Sequence, residues 1–270
     1  MLLFLVLYLL IFLVLRVMIS ADEQKNLIKS LQQDILQWEG YKAPAIGRRI
    51  LKGLSPLEDV FPNGIFPLGT VHEMLCHNTG EASAGSGWIA GLLSLVLQNK
   101  DVAVWISLSH PPFPPALKSF GLIPDRLFFI RVKNNQEALW VMEEALKCSG
   151  LSAVIAEIRE LDFKQSRRLQ LAVEQSHVTG FILRNAPKKI GTTACASRWQ
   201  INPLPSETAD ALPGLGFPRW QVALLRTRNG KTGCWTVEWA DHHFRLVNDN
   251  RRLHSSKKQV FPPTFHQKTG

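Results

Sequence analysis

The feature that most constrains the fold of this chain is an alternation of short apolar strands with helices over residues 69–183. Residues 102–106 (VAVWI) have the composition of a buried strand, and residues 136–147 place apolar side chains at helical spacing. The other predicted strands in this stretch are 69–75, 127–132, 153–156 and 181–183, and the other predicted helices are 87–98 and 163–175. This alternation indicates an α/β fold with a mainly parallel sheet and helices on both faces.

The pattern changes after residue 197, where predicted strands follow one another without intervening helices. These strands are residues 198–201, 220–228 and 232–239, and Asn229-Gly230 between the last two is a hairpin signal. Trp235, Val237 and Trp239 alternate with polar residues and therefore share one face of their strand. We expect the α/β core to finish in antiparallel strands at its C-terminal end.

Composition excludes several classes of protein. A hydrophobic content of 46% with 20% charged residues is typical of a globular domain and not of a disordered chain. The four cysteines are far apart, which argues against a zinc module and a disulfide framework, and His72, Cys76 and His77 do not have the HExxH spacing of a metal site. The net charge of +9 favours an anionic partner, either nucleic acid or an acidic membrane surface.

The two ends of the chain differ from the core that we place at residues 68–247. Residues 1–17 are apolar apart from Arg16, and three interpretations stay open: an over-extended start upstream of Met18, a single membrane anchor, or a signal segment. We favour the first, for which no membrane association is expected. Residues 248–270 form a basic tail that we expect to be disordered.

Between the apolar start and the core we predict an amphipathic helix and a connector. The helix covers residues 18–40, and Ile28, Leu31 and Ile35 form an apolar seam that either a partner or the chain's own domain could cover. The connector covers residues 41–67 and is interrupted by proline and glycine.

A glycine-rich stretch follows the first predicted strand, where a parallel sheet places phosphate-binding loops. Gly80 and Gly85 have the G-x-x-x-x-G spacing of a Walker A loop, but Ser86 replaces the lysine and Gly87 replaces the hydroxyl residue. We therefore predict either a strand-to-helix turn that needs glycine or a degenerate nucleotide loop without ATP turnover. Glu157 ends a strand at the Walker B position, although a capping or surface acid is the simpler interpretation.

Basic residues form two clusters that suit contacts with nucleic-acid phosphates or with a partner, the alternative being a solvated surface. The first cluster is at the predicted hairpin tip and the second is in the tail: Arg226, Arg228, Lys231, Arg251, Arg252, Lys257 and Lys258. The tryptophans Trp105, Trp140 and Trp235 lie in apolar segments and are expected in the core, whereas Trp88 is left unassigned.

A series of motifs over about residues 20–247 resembles the ImuA family, RecA-like accessory proteins of bacterial translesion synthesis that are related to the cell-division inhibitor SulA. The resembling segments are GTVHEM, PPALKSFGLIPDRLFFIRV, ALWVMEEALKC, LDFKQSRRLQLAVEQSHVTGFILR, the RW at Arg198-Trp199, and GLGFPRWQVALLRTRNGKTGCWTVEW. The apolar residues 1–15 depart from the family, whose members begin near the amphipathic helix.

The resemblance implies a RecA-type (P-loop NTPase type) core that is expressed in the SOS response and works as a non-catalytic scaffold at the nucleoid in the cytoplasm. The implied partners are a catalytically inactive Y-family polymerase homologue, an error-prone replicative-type polymerase, RecA and DNA. Family members commonly lack the Walker lysine, which is consistent with Ser86 and with no required cofactor. Two rival functions remain: a SulA-like division inhibitor, and an ATPase in which Lys188 or Lys189 replaces the missing lysine.

Overall fold

The computed structural model describes residues 51–247, apart from residues 52, 56, 98–100, 109–110 and 207–215. The predicted N-terminal segments 1–17 and 18–40, with Ile28, Leu31 and Ile35, lie outside the described residues, as does the tail 248–270 with its four basic positions. Much of the predicted connector also lies outside them.

The described strands and helices follow the predicted alternation. The strands are β1 Val71–Cys76, β2 Ala103–Ser107, β3 Leu127–Arg131, β4 Ala153–Glu157, β5 Thr179–Asn185, β6 Ser197–Leu204, β7 Arg219–Thr227, β8 Gly233–Ala240 and β9 His243–Leu246. The α-helices are α1 Thr79–Val96, α2 Pro114–Leu117, α3 Asn135–Lys147 and α4 Phe163–Ser176. Short 3-10 helices cover Leu57–Val60, Pro62–Gly64, Lys118–Phe120 and Pro124–Arg126.

The strands described in the structure form one nine-stranded sheet in the order β3-β2-β4-β5-β1-β6-β7-β8-β9. All pairings from β3 to β6 are parallel, and those from β6 to β9 are antiparallel. The predicted fold class is therefore confirmed, with two differences. Strand β6 still runs parallel to β1, and the short strand β9 was not predicted.

Helices cover the two faces of the sheet and define two cores. Helix α1 packs with Trp88 and Leu92 against one face, where the side chains of Trp199 and Phe181 lie. Helices α3 and α4 cover the other face, with Met142 buried between α3 and the sheet. Within the described residues, no helix is both long and apolar enough to cross a membrane.

The predictions for the tryptophans are partly wrong. Trp105 is fully buried and Trp235 packs against the core, as expected, but the Trp140 side chain is 63% exposed. Trp140 lies on the side of α3 opposite the buried residues Ala138 and Met142, so its indole points to solvent. Trp88, which was left unassigned, is fully buried.

A buried histidine anchors the start of β1 in the core beneath α1. The ring of His72 stacks between Phe66 and Phe181, at centroid distances of 4.6 and 5.5 Å. Its Nε2 lies 2.8 Å from the carbonyl oxygen of Pro67, and its Nδ1 lies 2.6 Å from Ser197 Oγ. A carbonyl can only accept, so we assign a proton to Nε2, which donates to it. Burial lowers the pKa of His72 from 6.5 to about 4.

We expect His72 to make the fold sensitive to mild acid. In the unfolded chain His72 becomes protonated below pH 6.5, whereas in the folded chain it stays neutral until about pH 4. The free energy of unfolding is therefore highest above pH 6.5 and falls as the pH drops through this window. The loss amounts to about 3 kcal/mol at pH 4. Urea unfolding between pH 7 and pH 4.5 measures it.

Because carboxylates also titrate in this range, the comparison is between variants. His72→Phe should reduce the proton uptake on unfolding by about one, since phenylalanine fits the aromatic stack but cannot titrate. His77→Gln, at an exposed histidine, should leave the pH dependence as it is in the original chain. Equal pH slopes in all three proteins would contradict this prediction.

Candidate functional site

The junction between β1 and α1 is the position at which a nucleotide loop was predicted, and it contains no loop of that kind. Strand β1 ends at Cys76 and α1 begins at Thr79, so two residues connect them. The predicted loop residues are instead helical, within the first three turns of α1: Gly80, Gly85, Ser86 and Gly87. The predicted glycine-rich turn at residues 80–87 is therefore wrong.

The glycines serve close packing instead of an unusual backbone conformation. A Cβ atom on Gly85 would lie 3.1 Å from Leu183 Cδ2, and one on Gly87 would lie 3.2 Å from Trp220 Cζ2. The hydroxyl of Ser86 donates to the carbonyl oxygen of Ala82, 2.9 Å away, within the helix. Small residues let α1 lie close to the sheet at the position where the sequence pattern imitates a phosphate loop.

The N-terminus of α1 is occupied by its own side chains. Asn78 Oδ1 accepts from the Glu81 backbone N–H at 2.9 Å, which is a standard N-cap. The Glu81 carboxylate accepts from the His77 backbone N–H at 2.9 Å and from Asn78 Nδ2 at 2.8 Å. A carboxylate thus takes the position near the helix N-terminus that a phosphate group would take in a nucleotide-binding protein.

Glu157 lies at the end of β4, as predicted, but it is buried and is not a surface acid. Its Oε2 accepts from the Leu108 backbone N–H at 3.2 Å and so ties the end of β2 to β4. Burial, together with the negative charges of Glu81 and Glu157, raises the pKa of the Cys76 thiol to about 12. Both acids therefore lie near Cys76. Two carboxylates at the carboxyl ends of these parallel strands disfavour the binding of a polyphosphate there.

A buried ion-pair network lies on the opposite face of the sheet, across β5, β1, β6 and β7. The Glu73 carboxylate, which is 0% exposed, accepts from Arg198 Nε at 2.8 Å and from the Thr193 hydroxyl. Arg184 Nη1 lies 3.5 Å from Glu73 Oε2 and is also 0% exposed. Arg226 Nη2 is 4.0 Å from Glu73 Oε1 and is 38% exposed. Three arginines therefore share one carboxylate, and the outermost of them reaches solvent.

A β-bulge directs Arg226 into this network. Trp199 pairs with Leu224 and Arg198 pairs with Arg226, so Leu225 is an additional residue on β7. Leu224 packs in the core beneath α1, and strict alternation would send Arg226 to that same face. The bulge reverses the alternation and places Arg226 beside Arg198 on the other face.

The same arginines hold the segment between β5 and β6, residues 186–196, by its carbonyl oxygens; we call this segment the β5–β6 connector. Arg184 Nη2 donates to Lys189 at 2.9 Å, and Arg198 Nη2 donates to Gly191 at 2.6 Å. Two further bonds come from β7 and the residue after it: Arg226 Nη2 to Cys195 at 2.9 Å and Arg228 Nη2 to Ala194 at 3.3 Å. The connector is therefore fixed against the end of β7.

A cleft of about 280 Å³ lies between this connector, the first turns of α4 and the end of β7. Six of its lining residues are Phe163, Arg167, Thr193, Arg226, Thr227 and Arg228. Cys195 also lines it, and burial together with the charge of Glu73 raises the pKa of this thiol to about 12. We call this feature the basic cleft.

The structure brings together two of the predicted contact residues and separates the third. Arg226 and Arg228 both line the basic cleft, whereas Lys231 does not. The Lys231 backbone N–H donates to the carbonyl oxygen of Val60 at 2.8 Å, so the hairpin tip packs on the segment Leu57–Val60. Arg251, Arg252, Lys257 and Lys258 lie outside the described residues.

Our sequence reasoning missed Glu73, Arg184, Arg167 and Phe163. A signal existed for the first two, because a charged residue inside an apolar strand must be paired when the strand is buried. Glu73 lies within VHEMLC and Arg184 follows FIL, and both strands are buried. No comparable signal distinguishes Arg167 from its neighbour Arg168, since the cleft depends on the position of β7.

Comparisons with known proteins give one group of close relatives. The chain is 34% identical over 215 residues to the protein named ImuA in two strains of Caulobacter vibrioides, covering 73% of this chain and 87% of the relative. No family model matches the chain. Among solved structures, a KaiC-like protein of Pyrococcus horikoshii superimposes with a TM-score of 0.49 at 12% identity, covering 74% of this chain and 99% of that one.

Proposed function

Because this chain belongs to the ImuA family, a RecA-like family, we propose that it is a non-catalytic accessory scaffold in a damage-induced complex for translesion DNA synthesis. The observation that carries the non-catalytic part is the junction between β1 and α1. Two connecting residues leave no phosphate cradle, and the Glu81 carboxylate already accepts the backbone N–H of His77 at that junction.

The side chains at this junction supply the wrong charge for phosphoryl transfer, which supports the same proposal. Phosphoryl transfer depends on cations and oriented N–H groups around the transferred group. Ser86 stands at the Walker lysine position with its hydroxyl bonded inside the helix, and Glu81 and Glu157 add negative charge. A bound nucleotide would face these carboxylates without a lysine at that position.

As the family resemblance implies, we propose an inactive Y-family polymerase homologue, an error-prone replicative-type polymerase and RecA as partners, acting on DNA at the nucleoid. The scaffold offers rigid surfaces for such partners because its sheet is fixed by two cores and the Glu73 network. The basic cleft is the surface of this scaffold whose chemistry suits DNA.

An ATP-hydrolysis assay with the purified protein tests the non-catalytic part. We expect no phosphate release above that of a protein-free control. Should release be seen, Glu157→Gln distinguishes its source, because an intrinsic ATPase would lose turnover with the acid at the Walker B position and a contaminant would not. Turnover that Glu157→Gln abolishes would overturn this part of the proposal.

A deletion strain tests the biological role. We expect ultraviolet-induced mutations to fall to the spontaneous level while cell length after damage stays normal. Restoring the gene should restore mutagenesis, and a copy with the exposed Glu144→Gln substitution should do so equally well. Unchanged mutation with altered filamentation would instead support a SulA-like division inhibitor.

A further inference from the structure

The basic cleft has the composition of an anion site. Arg167, Arg226 and Arg228 line it, and none of its lining residues is acidic. The nearest described carboxylate to Arg226 is that of Glu73, 4.0 Å away, and this carboxylate already accepts from Arg198 and Thr193. Since one buried carboxylate cannot neutralise the surrounding guanidinium groups, the cleft keeps a positive charge excess.

Two of the three guanidinium groups, those of Arg226 and Arg228, are held in place before any ligand arrives. One amino group of Arg226 is fixed by Cys195 O and Thr193 Oγ1, and one of Arg228 is fixed by Ala194 O. The Arg226 side chain nevertheless remains 38% exposed, so its guanidinium group can still donate to a phosphate oxygen that enters the cleft.

An aromatic ring lies at the same cleft. Phe163 is the first residue of α4 and is 55% exposed, and Arg167 follows one helical turn later on the same side of the helix. Exposed aromatic rings beside basic grooves stack on bases of single-stranded nucleic acids, at about 1–3 kcal/mol per base. A duplex keeps its bases stacked internally and offers the ring no free face.

The cleft size limits what can enter. About 280 Å³ is slightly less than the roughly 300–1,000 Å³ of pockets that enclose a complete small ligand. The cleft therefore suits one phosphate group and part of one nucleotide of a longer strand. We propose that the basic cleft binds the backbone of single-stranded DNA, with a phosphate on Arg167, Arg226 and Arg228 and an unpaired base on Phe163.

This inference rests on the proposed function only in that the ligand is DNA. Its test is fluorescence anisotropy of a labelled 20-nucleotide thymidine oligomer with the full-length purified protein, measured from 50 to 200 mM salt. Arg167→Gln and Arg228→Gln should each weaken binding about 3- to 10-fold and reduce the salt slope by about 0.7.

The matched control is Arg168→Gln, which removes the same charge from the adjacent position of α4. Arg168 is ion-paired with Glu143 on α3 and does not line the cleft. We expect its affinity to stay within twofold of the original. Equal weakening by Arg167→Gln and Arg168→Gln would mean general charge attraction and would overturn the proposed site.

Phe163→Ala distinguishes binding of single-stranded DNA from binding of phosphate groups in general. It should weaken binding of the thymidine oligomer about 5-fold or more and leave a duplex of the same length unaffected. Equal binding of oligomer and duplex, with no effect of Phe163→Ala, would overturn the single-strand assignment. Because these measurements use purified protein, they can fail while the deletion strain loses mutagenesis, or succeed while it does not, so the two proposals fail separately.

Discussion

Replacing Glu73 by glutamine is expected to lower the free energy of unfolding by about 3–5 kcal/mol, the usual cost of leaving a buried charge without its partner. Arg184 is completely buried and Arg198 is 14% exposed, and both lie within ion-pair distance of this carboxylate. Glutamine keeps the volume but not the charge. Since small proteins are stable by about 5–15 kcal/mol in total, the loss is a large share of the stability. Urea unfolding measures it directly.

A surface glutamate provides the matched control for this variant. Glu144 pairs with Lys147 at 2.7 Å, but its side chain is half exposed, and such pairs contribute about 0–1 kcal/mol. Glu144→Gln should therefore change the unfolding free energy very little. If Glu73→Gln and Glu144→Gln cost the same, the Glu73 network does not stabilise the fold in the way that its burial indicates.

Truncating Trp88 to alanine is expected to cost about 3–5 kcal/mol, because it opens a large cavity in the core beneath α1. The indole is completely buried and packs against Phe244 at a ring-centroid distance of 4.4 Å and against Trp199 and Trp220 at 6.2 and 6.1 Å. Denaturant unfolding followed by tryptophan fluorescence and circular dichroism measures the change.

Two further substitutions separate cavity formation from loss of an indole. Trp88→Phe should cost about 1–2 kcal/mol, because the buried Nε1 has no acceptor among the described residues and its removal relieves an unsatisfied donor. Trp140→Ala, at an exposed indole in α3, should cost less than about 1 kcal/mol. Comparable losses for Trp88→Ala and Trp140→Ala would refute the assignment of Trp88 to the core.

The local patterns were reliable wherever burial and periodicity agree. The apolar strands β2 and β4 and the helices α3 and α4 lie within a residue or two of their predicted bounds. The hairpin at Asn229-Gly230 is also present, and Asn229 has the positive φ of 56° that this kind of turn favours. These elements depend on interactions within each segment and on whether its side chains can be buried.

The predictions failed where a neighbouring element decides the outcome. Gly85 and Gly87 resemble a phosphate loop in sequence, yet the close approach of Leu183 and Trp220 explains them. Trp140 is a different case, because helical periodicity alone places it on the side of α3 opposite the buried Met142, and the prediction overlooked this. Spacing along the chain does not record which residues another strand brings nearby.

The sequence by itself determined the α/β class, the order of most elements and the family, because hydrophobic periodicity and a long series of motifs are properties of the chain alone. Tertiary structure decided the chemistry of the surface. One extra residue in β7 turns Arg226 toward Glu73, and the packing of α4 beside the β5–β6 connector adds Arg167 and Phe163 to the basic cleft. A charge becomes part of a site only when strands and helices distant in sequence place it beside others, since electrostatic interactions depend on distance and burial.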